Sequence, residues 1–132
     1  MKLITRNTDY ALRALCFIAK HSAKRTTVSE LTGEINVSRP FLRKILQILE
    51  KKRFLKSYKG QGGGFELGLP PGKIFLPDLM KIFQGPFKLN ECFLMGHLCP
   101  NIKKCLLKKK IDKIESYAIR ELNKVSIAYL LR

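Results

Sequence analysis

The sequence predicts a mainly α-helical fold carrying one small β-hairpin and a long helix near its C-terminal end. Three observations predict it. Apolar residues recur at helical spacing from Ala11 to Ala19 and again from Leu42 to Leu49. Two short strand-like segments flank the run Gly60-Gln61-Gly62-Gly63-Gly64. A third apolar seam, formed by Leu107, Ile111, Ile114, Ala118, Leu122 and Val125, is spaced by threes and fours. With 132 residues, 45% of them hydrophobic and 27% charged, the chain has the size of one domain and enough apolar side chains to bury a core. That size excludes a multidomain enzyme, and that composition excludes a disordered chain.

Taken in order, Thr8 is placed to cap a first helix that buries Ala11, Leu12, Ala14, Leu15, Ile18 and Ala19 and ends near His21. After the polar break at 22–27, a short second helix runs from Ser29 to about Glu34, and the chain turns through Ile35, Asn36 and Val37. Ser38 caps a third helix. Pro40 fits its first turn, where backbone N–H groups have no helical acceptors in any case. Leu42, Ile45, Leu46 and Leu49 occupy i, i+3, i+4 and i+7 and form one buried stripe, which turns Arg43, Lys44 and Gln47 to water. Strands at Phe54–Lys59 and Phe65–Leu69 enclose the glycine run, whose residues tolerate positive φ. Pro70-Pro71-Gly72 breaks the chain before a short amphipathic helix around Leu76–Phe83 that stops at Gly85-Pro86. The long helix spans about Ile102 to Lys124, and Ser126 is placed to cap a last short helix, Ile127–Leu131, that packs back onto the domain.

Two short helices joined by a tight turn, the second basic on its outer face and followed by a glycine-tipped hairpin, have the geometry of a winged helix-turn-helix. In that arrangement the second of the two helices lies in the major groove of duplex DNA. The charge agrees. Lys plus Arg number 26 against 10 Asp plus Glu, for a formal charge of +16 and a sequence pI near 10.0. Between positions 39 and 59, Arg39, Arg43, Lys44, Lys51, Lys52, Arg53, Lys56 and Lys59 face one acid, Glu50. Most charge runs are only solvated faces; the architecture around this one gives it a polyanionic partner. Lys59 and Gln61 at the hairpin tip are placed to reach phosphates or the minor groove. A nucleotide-binding loop is discounted, because no Gly-Lys-Ser/Thr follows the glycines and the run leads into a strand rather than a helix.

Cys16 stands alone on the first helix in an apolar setting, where a thiol serves as a small hydrophobe. Cys92, Cys99 and Cys105 form the spacing Cys-x6-Cys-x5-Cys. No segment approaches the ~20 uninterrupted apolar residues of a membrane helix, and the opening carries Arg6 and Asp9 where a secretory signal needs apolar residues. The expected compartment is therefore the cytoplasm, whose reducing poise disfavours disulfides. Three thiols bordered by Lys103, Lys104 and Lys108 to Lys110, whose charges favour thiolates, suit a soft metal centre. Chemistry alone leaves three readings: an iron–sulfur cluster, a zinc site completed by His97, or redox thiols without a cofactor. The seam of the long helix, on a chain whose first half supplies its own core, is free to pack against a second copy.

The segments TDYALRAL at 8–15, INVSRPFLRKIL at 35–46 and KGQGGGFELGLPP at 59–71, together with the three late cysteines, resemble one bacterial family. It is that of IscR and NsrR, winged-helix regulators that often carry an iron–sulfur cluster. The resemblance spans nearly the whole chain, and the wing, the Pro-Pro and the spaced cysteines are its most specific part. It implies a homodimer with crossing long helices and recognition helices in adjacent major grooves of a pseudo-palindromic operator. Ser38, Pro40, Arg43 and Lys44 match the base- and phosphate-reading positions, and Lys59 and Gln61 match the wing contacts; Arg39, from the basic cluster, is expected to contact DNA beside them. Cys92, Cys99 and Cys105 match the ligands of a [2Fe-2S] or [4Fe-4S] cluster. One branch of the family has a histidine three residues after the last cysteine, where this chain has Lys108. The nitric-oxide-sensing branch takes an aspartate from the partner's first helix, which Asp9 matches, so Asp9 is the expected fourth ligand and His97 the reserve.

The expectation is a cytoplasmic DNA-binding transcription regulator, in particular a repressor, and not an enzyme. Its parts are a DNA-binding domain over 1–86, a cysteine-bearing sensor loop over 87–106, and a dimerisation helix with a packing helix over 107–132. Its partners are a double-stranded DNA operator and a second copy of the chain, with no membrane and no small-molecule substrate. Cluster assembly, oxidation, nitrosylation or loss would set operator binding. The alternatives are a cluster-free regulator sensing thiol state or a metabolite, and a zinc-stabilised nucleic-acid-binding module.

Overall fold

A computed structural model describes residues 3–89, 93–94, 97–98 and 104–132. The chain runs through α1 (Arg6–Lys20), α2 (Val28–Ile35), α3 (Arg39–Lys51), β1 (Leu55–Tyr58), β2 (Gly64–Leu67), a 3₁₀ turn at Pro71–Lys73, α4 (Leu76–Gln84), β3 (Phe93–Leu94), β4 (His97–Leu98), α5 (Leu106–Leu122) and α6 (Ile127–Leu130). The class is the one the sequence predicts, mostly helical with an antiparallel wing formed by β1 and β2.

Helix α1 begins three residues earlier than the Thr8 cap predicts. Thr5 is the cap, its Oγ1 accepting the Thr8 N–H at 3.5 Å. Thr8 is instead buried in the first turn and donates its hydroxyl to Gln84 Oε1 at 2.8 Å. The same Gln84 oxygen accepts the Thr5 N–H at 3.0 Å, and Gln84 Nε2 donates to the Leu3 carbonyl at 3.0 Å. The end of α4 thus fastens the start of α1.

Helix α2 is closed by a reciprocal cap in which Thr27 Oγ1 accepts the Glu30 N–H at 3.2 Å and donates to the Glu30 carboxylate at 3.3 Å. It ends at Asn36, left-handed at φ 58°, a conformation asparagine tolerates better than most residues. Helix α3 buries Leu42, Ile45, Leu46 and Leu49 as its periodicity predicts. They join Ala11, Leu15 and Ile18 of α1 and Leu31 of α2 in one core, which the more distant Ile74, Leu79 and Ile127 complete. Those last residues arrive because the Leu76 N–H donates to the Val125 carbonyl and the Ile127 N–H to the Ile74 carbonyl, at 2.8 and 2.9 Å.

The exit from α3 follows the Schellman pattern, with the Phe54 N–H on the Leu49 carbonyl and the Arg53 N–H on the Glu50 carbonyl, both at 2.9 Å. This places Arg53 at φ 69°, where a side chain is strained and glycine is not. Arg53→Gly is expected to raise stability by about 1 kcal/mol. A urea titration should show the midpoint moved up at constant slope.

The wing pairs Leu55 with Leu67, Lys56 with Glu66, Ser57 with Phe65 and Tyr58 with Gly64. Two of its glycines are required by close backbone approach. A Cβ at Gly63 would lie 2.4 Å from the Tyr58 carbonyl oxygen, and one at Gly64, where φ is 135°, 2.6 Å from the Thr26 carbonyl oxygen. Helix α5 differs from every other long helix described, because none of its side chains is buried; Leu106, Leu107, Ile114, Tyr117 and Ile119 are exposed. Among the described residues no helix is long and apolar enough to cross a membrane.

Candidate nucleic-acid interface

Because the apolar stripe of α3 is turned inward, its opposite face carries Arg43, Lys44, Gln47 and Lys51 in water. Ser38, Arg39 and Pro40 at its start are exposed as well. Ser38 holds the cap position, but its side chain makes no capping hydrogen bond. No acid occupies the first turn, so the positive end of the helix dipole is unopposed there. Arg39 is already engaged: its guanidinium donates to Ser29 Oγ on α2, bracing one helix of the pair against the other. Arg43, Lys44 and Lys59 make no ion pair or side-chain hydrogen bond with any described residue. Such cations are fully available to an external anion.

Glu50, the single acid among the cations of 39–59, accepts the Ser57 hydroxyl at 2.7 Å and so ties the last turn of α3 to β1 of the wing. Lys59 and Gln61 are exposed at the tip, where the Gly63 N–H closes the turn on the Gly60 carbonyl at 3.0 Å. Helix and wing tip are thereby held on one framework.

The residues expected to hold a metal are placed as follows. Cys105 is half-buried at the N-cap of α5, with its sulfur accepting the Lys108 N–H at 3.4 Å, while the Lys108 ammonium bonds to Asp112. Asp9 lies on the first turn of α1, and Arg13 one turn later donates to its Oδ2 at 3.0 Å. His97 falls in β4, and Cys92 and Cys99 lie outside the described residues. Among the described residues no three His, Cys, Asp or Glu side chains come together as a metal site. Cys16 packs half-buried against the core, and burial pushes its thiol pKa up against a smaller downward pull from Lys20. That environment suits the small hydrophobe its sequence context predicts.

Sequence reading missed Arg25, placed in a polar break. It lies against the wing, stacked on Tyr58 at 3.5 Å from the ring centroid. No local signal could have found it, since its partners are 33 to 41 positions away in the sequence.

Comparison with known proteins agrees with this arrangement. Protein aau3 of Rhizobium meliloti is 33% identical over 111 residues, covering 83% of this chain and 72% of that protein. CymR, described as the global cysteine regulator of B. subtilis, superposes with a TM-score of 0.79 at 23% identity, over 99% of this chain and 97% of its own. IscR of T. potens superposes with a TM-score of 0.77 at 20% identity, over 99% of this chain and 86% of its own. At these identities the two structures establish the shared fold. Residues 4–132 also match the model of the Rrf2 family, described as iron-dependent transcriptional regulators. With a match over nearly its whole length, this winged-helix chain belongs to the Rrf2 family of transcriptional regulators.

Proposed function

We propose that the chain is a dimeric, cytoplasmic repressor that binds a double-stranded operator through α3 and the wing, under the control of an iron–sulfur cluster. The observation that carries the DNA-binding part is the outer face of α3, whose Arg43 and Lys44 have no internal counter-ion beside a glycine-tipped wing. Arg43 and Lys44 read base edges or phosphates in the major groove, with Ser38 and Pro40 seating the start of the helix against the backbone. Arg39 keeps the two helices in register through Ser29 and offers its remaining N–H groups to phosphate. Lys59 and Gln61 reach the adjacent minor groove. These residues make a binding surface, and the chain belongs to a family of transcriptional regulators, so we read it as a regulator rather than an enzyme.

The homodimer rests on α5, whose exposed Leu106, Leu107, Ile114, Tyr117 and Ile119 suit burial against the same helix of a second chain. The division into a DNA-binding part over 1–86, a sensor loop over 87–106 and a dimerisation part over 107–132 follows from these assignments.

The donor set fits an iron–sulfur cluster in kind: three thiols, with a carboxylate as fourth ligand. Cys92, Cys99 and Cys105 would hold it, with Asp9 of the partner chain or, in reserve, His97. Two described residues support this. The Cys105 residue is only half-buried, and its sulfur accepts the Lys108 backbone N–H at the start of α5, which leaves it within reach of a partner. Asp9 uses Oδ2 for Arg13, which leaves Oδ1 free to ligate. When bound, the cluster supplies a centre sensitive to oxidation, nitric oxide and iron–sulfur supply. Joining Asp9 of α1 in one chain to the start of α5 in the other gives the sensor purchase on α1, which packs against α3.

A second reading is favoured by the likeness to CymR, whose description is that of a cysteine regulator. In it the thiols or a metabolite act without metal. A zinc-stabilised module is the third. Anaerobic purification followed by an absorbance spectrum and iron, sulfide and zinc analysis separates them. We expect stoichiometric iron and sulfide, with visible absorbance abolished by Cys105→Ala. Colourless, metal-free protein that still binds its DNA establishes the second reading, and stoichiometric zinc without iron the third.

A further inference from the structure

A hairpin of two four-residue strands is marginal by itself, so the attitude of the wing has to be imposed from outside. The segment entering α2 imposes it twice. Thr26 pairs with Phe65 of β2 through two backbone hydrogen bonds of 2.9 and 2.8 Å. The preceding residue, Arg25, lays its guanidinium over the Tyr58 ring of β1 at 3.5 Å. Its Nε stands 4.0 Å from the Glu66 carboxylate of β2, and its Nη1 donates to the Gly62 carbonyl of the tip at 3.4 Å. Tyr58 completes the set by donating its hydroxyl to Glu66 at 2.7 Å. One side chain therefore touches both strands and the loop between them.

We propose that Arg25 is a positioning residue for DNA recognition, holding the wing tip at the angle from which Lys59 and Gln61 enter the groove. The inference rests on the wing reading given above. The tip contains Gly60 at φ 84° and Gly62 at φ 76°, and a glycine loop that is not held loses much freedom when it docks. Arg25 removes that freedom beforehand. Its charge is partly cancelled by Glu66, so its contribution is one of shape. Only the planar fork can stack on Tyr58 while donating to Gly62 and facing Glu66; an ammonium at the same place keeps the charge and loses the geometry.

This separates positioning from simple phosphate attraction. The probe is a duplex selected by the wild-type protein from a randomised pool. Arg25→Lys is expected to lower affinity roughly five- to tenfold. It should erase the minor-groove protection from hydroxyl radical at the wing, while guanine N7 protection in the major groove and the thermal midpoint stay as in wild type. Tyr58→Leu, which removes the surface Arg25 rests on and keeps the charge, should do the same, and serves if Arg25→Lys folds poorly. Wild-type affinity and footprint in Arg25→Lys overturn the proposal, as does a loss confined to Arg25→Ala, which marks a purely electrostatic role. Absence of minor-groove protection in the wild-type protein refutes the wing reading itself.

Discussion

Raising the salt from about 50 to 200 mM is expected to weaken binding to a selected duplex by roughly a thousandfold or more, because each phosphate neutralised releases condensed counterions. The formal charge of +16 and the uncompensated face of α3 supply the cations, and a dimer presents that face twice. Affinity measured across a salt series gives a slope that counts the phosphates engaged. Arg43→Ala and Lys44→Ala then assign each residue. Deleting a side chain that reads a base costs about 1–3 kcal/mol and relaxes specificity at one position, whereas deleting one that holds a phosphate lowers the slope by about one and weakens all sequences alike. Affinity insensitive to salt would remove this face from the interface.

Leu46→Ala is expected to cost about 3–5 kcal/mol. Leu46 is fully buried among Leu42, Ile45 and Leu49 in the cluster shared with α1 and α2, so little can move in to fill the space. Against a total stability of roughly 5–15 kcal/mol this is a large fraction. Chemical denaturation should show it as a lower midpoint. A loss under about 1 kcal/mol would mean that the α3 stripe is not packed as described. DNA affinity, corrected for the fraction folded, should change far less than in Arg43→Ala, since the outer face keeps its residues.

The contrast between these two substitutions reflects what was legible in the sequence. The inner and outer faces of α3 follow from the helical period of 3.6 applied to residues 42–49, and the wing follows from glycines between strand-forming segments. Contacts between distant positions were not legible. Thr5 and Thr8 are equally good caps on local grounds, and the choice falls on Thr5 because Gln84, 76 positions beyond Thr8, takes the Thr8 hydroxyl. Arg39 reads as one more cation of the basic run, yet it bonds to Ser29 across the turn. Arg25 gave no periodic signal at all. The two-residue strands β3 and β4, read only as a loop, are too short to show alternation. For the proposed cluster, sequence supplies the thiols and their spacing, and the described structure adds the setting of Cys105 and Asp9.

Helix α5 buries none of its side chains fully, although it rests on α4. In the proposed dimer, the rest of its shelter is contributed by another molecule, so part of each chain's resistance to unfolding is borrowed and is returned on dilution. The number of copies in a cell then sets not only how much operator is occupied but how durable each copy is, and scarce regulator is also fragile regulator.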